Sequence, residues 1–549
     1  MPFTLADLNE AIADAIPDRE AIVSPARRVT WRELQMRTRR LANLLTEAGL
    51  GCHHERSELR PWESGHDHLA LYLYNGHEYI EGMVGASKAR VASFNVNYRY
   101  VDDELLYLFK DAKARAILYH ASFAPRLARI LPQLPPMALL LQVEDGSGEP
   151  LLPGARDYEE ALAASSATRP EIRTSDDDLY ILYTGGTTGM PKGVLWRQAD
   201  IFYAAMGGQL PGGEPVATID ELLQRVPYGE MLRLLPAPPF MHGAAHWTAF
   251  ITLHQGGTVV LPDNVRKLDA DDILRTLARE RVFLLSIVGD AFARPLVDQM
   301  RSTSYDLSNL RVIGSGGAIL SAELKRALIE MLPDVIVVDG FGSSETGAQG
   351  SSTMSAGAET PAVFKMDEHT VVLDEGWERR LMPGDDDLGW LARSGHIPLG
   401  YHDDEAKTER TYRWVGDTRY AIPGDRARLE ADGSIVVLGR DSGCINTGGE
   451  KVFAEEVEIA LKHHPAVHDV LVIGTPNERF GQQVTAVVAL RPGMRASDDE
   501  LRATAAQDLS RYKLPRAFVF VDDVVRAPTG KPDYRWAKET AIAALGATN

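Results

Sequence analysis

Residues 179–193 read LYILYTGGTTGMPKG: an apolar strand, Leu179–Tyr183, runs straight into a loop holding four glycines, three threonines and one lysine. Glycines let a backbone approach a phosphate closely and aim successive amides at it. Gly185 and Gly186 clear that space, the hydroxyls of Thr184, Thr187 and Thr188 add donors, and Lys192 supplies the charge. Chemically this is a pyrophosphate cradle. A Walker A loop is excluded, because it needs Gly-Lys followed by Ser or Thr, and Lys192 stands between Pro191 and Gly193. The fingerprint Gly-x-Gly-x-x-Gly cannot be laid on these residues either. A plain solvent-exposed turn accounts poorly for so long a run after a buried strand.

Outward from this loop, helix and strand signals alternate. Thr30-Trp31-Arg32-Glu33 reads as a capping box opening a helix that carries Leu34, Leu41, Leu44 and Leu45. Leu69–Tyr74 is a short apolar strand, followed by a helix from about Glu78. The pattern continues through Thr258–Leu261, Asp269–Arg281, Val282–Ile287, Ser321–Met331 and Val335–Asp339. Alternation at this spacing predicts an α/β fold with largely parallel sheets in a large N-terminal domain, residues 1–440. From about Leu429 the texture changes to short β-like runs, Ser434–Leu438, Val470–Ile473, Val484–Leu490 and Ala517–Val521, around one helix at Ala454–His463. Residues 441–549 are therefore expected to form a small, mobile α+β domain. The short junction, Gly439–Ser442, suggests a hinge and not a tether.

The 549 residues allow more than one domain, and 44% apolar with 25% charged residues is an ordinary globular balance. The formal net charge of −19 repels nucleic acid, so a polyanionic ligand needs a local basic or amide-lined pocket. No run approaches the ~18–20 apolar residues of a membrane span. The N-terminus lacks the order of a secretory signal and the C-terminus is not Ser-Lys-Leu, so a cytoplasmic enzyme is expected. Two cysteines, Cys52 and Cys444, make neither a disulfide framework nor a cysteine zinc site, and read as simple thiols. Composition sets no oligomeric state; if the chain associates, a dimer is expected.

Further motifs stand in order along the chain. They are Pro239-Phe240-Met241-His242-Gly243, Gly314-Ser315-Gly316-Gly317-Ala318 and Asp339-Gly340-Phe341-Gly342-Ser343-Ser344-Glu345-Thr346. After them come Gly424-Asp425, Gly439-Arg440, Asn446-Thr447-Gly448-Gly449-Glu450-Lys451, Tyr512-Lys513-Leu514-Pro515-Arg516 and Pro528-Thr529-Gly530-Lys531. With the phosphate loop, this set resembles the adenylate-forming superfamily of acyl- and aryl-CoA synthetases, luciferase and peptide-synthetase adenylation domains, from roughly residue 10 to 540. Gly185 replaces the family's usual Ser, Ser344 its Thr, and Phe341 its Tyr.

The resemblance implies roles. Thr184 to Thr188, Lys192, Gly316, Gly317, Ala318, Asp339, Gly340, Phe341, Gly342, Ser344, Asp425, Arg440 and Lys531 would bind ATP and AMP. Glu345, with Thr188, would hold Mg²⁺, which favours one or two carboxylates plus phosphate oxygens. His242, Trp247 and Gly316 would border the acyl pocket, with Phe240 and Phe250 as further bulky candidates and His246 as a weaker one. Gly448, Gly449 and Lys451 would line the coenzyme A tunnel, and Asp441 and Ser442 would form the hinge. Lys531, Lys192 and His242 are the catalytic candidates. The implied chemistry is attack of a carboxylate on the ATP α-phosphorus, then transfer of the acyl group from AMP to a thiol after the small domain rotates. Asn95–Tyr100 and Gly193–Arg197 look like fatty-acid or steroid side-chain CoA ligases, so an apolar acid is expected. Carrier-protein loading or β-lactone closure is the alternative outcome of the same activation. A non-catalytic binding protein on this scaffold would not need the α-phosphate lysine.

Overall fold

The computed structural model describes residues 3–184, 190–209, 213–318, 320–357, 364–385, 387–447, 450–477, 481–526 and 532–546, with the backbone alone at Ser442, Asn446, Glu450 and Lys451. The chain packs as two compact units, residues 1–363 with 394–413, and residues 364–393 with 414–549.

The first unit holds two twisted sheets. One runs, edge to edge, through Arg156–Asp157, Leu139–Val143, Ala114–His120, His68–Tyr72, Ala92–Asn95, Leu179–Thr184, Lys192–Arg197 and Gly400–Tyr401. Its pairings are parallel from the first edge to Leu179–Thr184, and antiparallel beyond. All five residues of His68–Tyr72 and all four of Ala92–Asn95 are buried. Continuous apolar runs of this kind suit parallel strands covered on both faces. The helix Trp31–Glu47 opens on the expected capping box, with Glu33 reaching back to the Thr30 amide, and buries Leu34, Leu41, Leu44 and Leu45.

The other sheet runs through Gly347–Met354, Ile336–Ser343, Val312–Gly316, Leu284–Ile287, Arg233–Pro236, Thr258–Val260, Glu20–Val23 and Arg28–Thr30. Its central pairings are parallel. The helices Ala270–Arg279, Gly289–Ser302 and Ala322–Met331 cover it, with Leu274, Leu277, Phe292, Leu296 and Leu324 in one core with Ile313 and Val337.

In the second unit, Thr370–Leu373, Leu388–Arg393, Asp425–Leu429 and Ile435–Arg440 form an antiparallel sheet. The β-like run read at Ser434–Leu438 falls on the strand Ile435–Arg440, which pairs back onto Asp425–Leu429. Beyond it, Cys444–Thr447, Glu450–Phe453, Val467–Asn477, Gly481–Leu490 and Ala517–Val521 make a second sheet. The helix Ala454–Lys462 seals it with Val457 and Leu461 against Val470, Val472, Val484 and Val488.

Candidate active site

The sharpest motif folds as a hairpin. Ile336–Ser343 turns back into Gly347–Met354, leaving Ser344, Glu345 and Thr346 at the turn. Ser343 and Thr346 lock it: the Thr346 hydroxyl accepts from the Ser343 amide at 3.1 Å, and the Ser343 hydroxyl from the Glu345 amide at 3.3 Å. Gly347 takes φ +71°, and a Cβ there would meet Ala204 at 2.8 Å. Glu345 is thereby turned inward, and the Tyr401 phenol donates to its Oε1 at 2.8 Å.

Lys192 opens the strand that leaves the phosphate loop and lies opposite Thr184 across the hairpin. The same strand carries Trp196, whose indole donates to the Ser344 carbonyl at 3.0 Å. On its other edge it pairs with Gly400–Tyr401, Tyr401 facing Val194. One strand thus holds the loop lysine and, through Trp196 and Tyr401, the turn bearing Glu345. The Lys192 ammonium stands 3.3 Å from Asp404 Oδ2, while Asp404 Oδ1 caps the helix Glu405–Thr411. Burial works to lower the lysine's pKa, but the Tyr107 phenol and Asp404 outweigh it and hold it above the ordinary lysine value. Lys192 is fixed as a cation on the wall of the site.

The glycine turn follows the strand Val312–Gly316, with Gly316 paired to Gly340. A Cβ on Gly316 would lie 3.5 Å from the Gly340 carbonyl, and one on Gly340 would lie 3.4 Å from the Ser315 carbonyl. Gly317 takes φ +84° and Ala318 is half-buried. The two backbones thus approach closely, with no side chain between them. Asp339 is buried and pairs with Lys325 at 2.7 Å. Burial pushes its carboxyl up, against the lysine. Its side chain is thus engaged inside the protein. Phe341 is half-buried beside it, and Gly342 sits at the bulge of the hairpin.

His242 caps the helix Gly243–His254 from its N-terminal side and is half-buried. Trp247 is also half-buried, and its indole donates to the Tyr180 phenol at 3.0 Å. That phenol meets His246 Nε2, and His246 Nδ1 lies 2.6 Å from the Phe240 carbonyl. The relay assigns the ring proton to Nδ1 and leaves His246 neutral, and burial brings its pKa down to about 4. His246 holds the wall behind Trp247. Phe240 and Phe250 are core residues, 1% and 2% exposed, so of the bulky candidates Trp247 alone reaches partway out.

In the second unit, Gly424 turns with φ +102° into Asp425, which pairs across two strands with Arg440. Arg440 Nε lies 3.1 Å from Asp425 Oδ1, so the two ribose candidates are preassembled on each other. Asp441 follows in a short 3-10 turn with Ser442, and its amide donates to the Gly424 carbonyl at 2.9 Å. Lys451 lies on the strand Glu450–Phe453. Gly185, Gly186, Thr187, Thr188, Gly448, Gly449 and Lys531 lie outside the described residues, as do the side chains of Ser442 and Lys451.

Sequence reasoning missed Tyr401, Asp404 and Tyr107. Leu399-Gly400-Tyr401-His402 carries no periodic or motif signal that ties it to a phosphate loop earlier in the chain. Its role exists only in the strand pairing.

The fold and the family matches together define an adenylate-forming enzyme. The anthranilate CoA ligase AuaEII, solved in complex with anthranoyl-AMP, shares the fold with a TM-score of 0.82 at 22% identity, over 99% of each chain. Residues 10–375 match the family described as AMP-binding enzyme, and residues 456–531 match the AMP-binding enzyme C-terminal domain. The medium-chain acyl-CoA ligase Mig of Mycobacterium avium is 52% identical over 541 residues, covering 98% of both chains. The 3-oxocholest-4-en-26-oate–CoA ligase of Rhodococcus rhodochrous is 42% identical over 98% of this chain and 96% of its own. The chain belongs to the AMP-binding enzyme family, among its ATP-dependent acyl-CoA ligases.

Proposed function

We propose that the enzyme activates an apolar carboxylic acid, a medium-chain fatty acid or a steroid side-chain acid, as its acyl-adenylate and passes the acyl group to coenzyme A. The observation that carries this is the common frame of Lys192 and Glu345: one strand bears the lysine and, through Trp196 and Tyr401, holds the turn of the carboxylate. Such a frame suits a triphosphate, which needs positive charge at one end and a carboxylate for its magnesium ion at the other. The names of the full-length relatives support the acid class, and so does the Trp247–Tyr180 wall.

A carboxylate is a poor acyl donor because oxide is its leaving group, whereas AMP leaves readily. The protein contributes position and charge. Lys192 and the loop hydroxyls hold the β- and γ-phosphates, Phe341 and the Gly316–Ala318 turn take the adenine, and Asp425 with Arg440 takes the ribose. Lys531 bridges the carboxylate and the α-phosphate. Glu345 fits Mg²⁺, since it is a single inward carboxylate with one oxygen steadied by Tyr401; bound there, the ion would neutralise phosphate charge. His242 and Trp247 border the acid. For the second step the domain from residue 441 rotates about Asp441 and Ser442 and brings Gly448, Gly449 and Lys451 to the thiol. On this reading the enzyme works in the cytoplasm, and a dimer is its oligomer if it associates. Among the described residues no helix is long and apolar enough to cross a membrane.

The test is acid-dependent loss of CoA thiol in the presence of ATP, across medium-chain and steroid side-chain acids. Thiol consumption matched by AMP release supports the reading. AMP release with CoA untouched would transfer the assignment to another acceptor.

A further inference from the structure

A second cluster of titratable side chains in the first unit, Cys52, His66, Arg90 and Asp178, contains no residue assigned to ATP, acid or coenzyme A. Cys52 and His66 are partners in an isolated antiparallel bridge, so their side chains leave the same face of the contact. The His66 ring is 7% exposed, and its Nε2 lies 3.2 Å from Asp178 Oδ1. Asp178 is fully buried and accepts from Arg90 Nε at 2.8 Å and from the Ser175 amide at 3.0 Å. With Nε2–H donating to the carboxylate, Nδ1 is left as an acceptor. That Nδ1 is buried and has no hydrogen-bond partner. A lone pair stranded this way costs about 1–3 kcal/mol, so it calls for an explanation.

The half-buried Cys52 side chain leaves the bridge on the same face as this ring. The sulfur donates to the His54 carbonyl at 3.3 Å and lies within electrostatic reach of the His66 ring. Arg90 also binds Glu55, through both terminal nitrogens at 2.8 Å. Burial works against a charged His66, but Asp178 and Cys52 outweigh it and raise the ring's proton affinity. A thiol, an imidazole with a vacant acceptor and a buried carboxylate behind it form a nucleophile, a base and an orienting group.

We propose that Cys52 is a modification site, a thiol activated by the His66–Asp178 pair for reaction with small peroxides. His66 Nδ1 takes the thiol proton, and the sulfur attacks one peroxide oxygen. The S–O bond forms as the O–O bond breaks, and the departing hydroxide takes the proton back from His66. Thiol and hydrogen peroxide thus become sulfenic acid and water.

The test uses the full chain carrying Cys444→Ser, which leaves Cys52 as its one thiol. Hydrogen peroxide is added with dimedone, which captures a sulfenic acid, and the mass shift of the Cys52 peptide is followed over time. The folded protein is expected to label at least about tenfold faster than the same protein unfolded in urea at equal pH, because a positioned base accelerates attack while folding otherwise shields the sulfur. His66→Gln should bring the folded rate down to the unfolded one. Equal rates in the folded and unfolded protein overturn the proposal, as does a folded His66→Gln protein that keeps the fast rate. If His66→Gln does not fold, the folded-against-unfolded comparison decides alone.

Discussion

Lys192 shows how far a single residue can be read from sequence. Its charge and its loop raise the expectation of a phosphate ligand, yet its partners, Asp404 and Tyr107, come from elements with no motif of their own. If Lys192 holds phosphates as proposed, Asp404 competes with them for its ammonium. Half-exposed pairs of this kind are worth about 0.2–1 kcal/mol. Asp404→Asn removes the charge and keeps a good helix cap. Its KM for ATP is therefore expected to fall about two- to fivefold, with KM for the acid unchanged. A raised KM for ATP would mean that Asp404 orients the lysine instead of competing for it. Asp339 marks the opposite limit: the motif singled it out, but its carboxylate is bound to Lys325, because a buried acid on a core strand must be paired.

At the scale of elements, the hairpin Ile336–Met354 and the helix Gly243–His254 do most to place the site. A Cβ on Gly342 would meet the Gly347 carbonyl at 2.1 Å, across the bulge that turns Glu345 inward. Gly342→Ala should cost about 1–3 kcal/mol in stability and raise the Mg²⁺ requirement, read by thermal melting and by activity against Mg²⁺ concentration. An unchanged Mg²⁺ curve would separate the bulge from the metal site. The helix carries His246 and His254, both buried and held near a pKa of about 4 against 6.5 when unfolded. As pH falls through 6.5 the unfolded chain takes protons that the folded helix refuses. The stability these residues contribute is complete above about pH 6.5 and is lost on the way to pH 4. Amide exchange in this helix, corrected for its intrinsic pH dependence, should lose protection from pH 7 to pH 5; constant protection would contradict the assigned neutrality. Elements of this kind were legible where an apolar run or a cap marked them, as at Thr30 and at Leu179–Tyr183. Pairing order was not, since nothing local in Ile435–Arg440 says that it turns back onto Asp425–Leu429.

At the scale of the whole molecule, the proposed two-step scheme rests on the domain from residue 441. If the domain from residue 441 serves the two steps in turn, Lys531→Ala should abolish adenylate formation by about 10²–10³-fold or more yet spare thioester formation from supplied acyl-adenylate. Equal loss of both half-reactions would sink the two-state scheme. The central claim, that the frame shared by Lys192 and Glu345 grips a triphosphate while an acid attacks it, is tested most directly by ATP–pyrophosphate exchange without coenzyme A. Exchange is expected to depend on a medium-chain or steroid side-chain acid and to drop about 10²–10³-fold in Glu345→Gln. Exchange that needs no acid, or that survives Glu345→Gln unchanged, would contradict it.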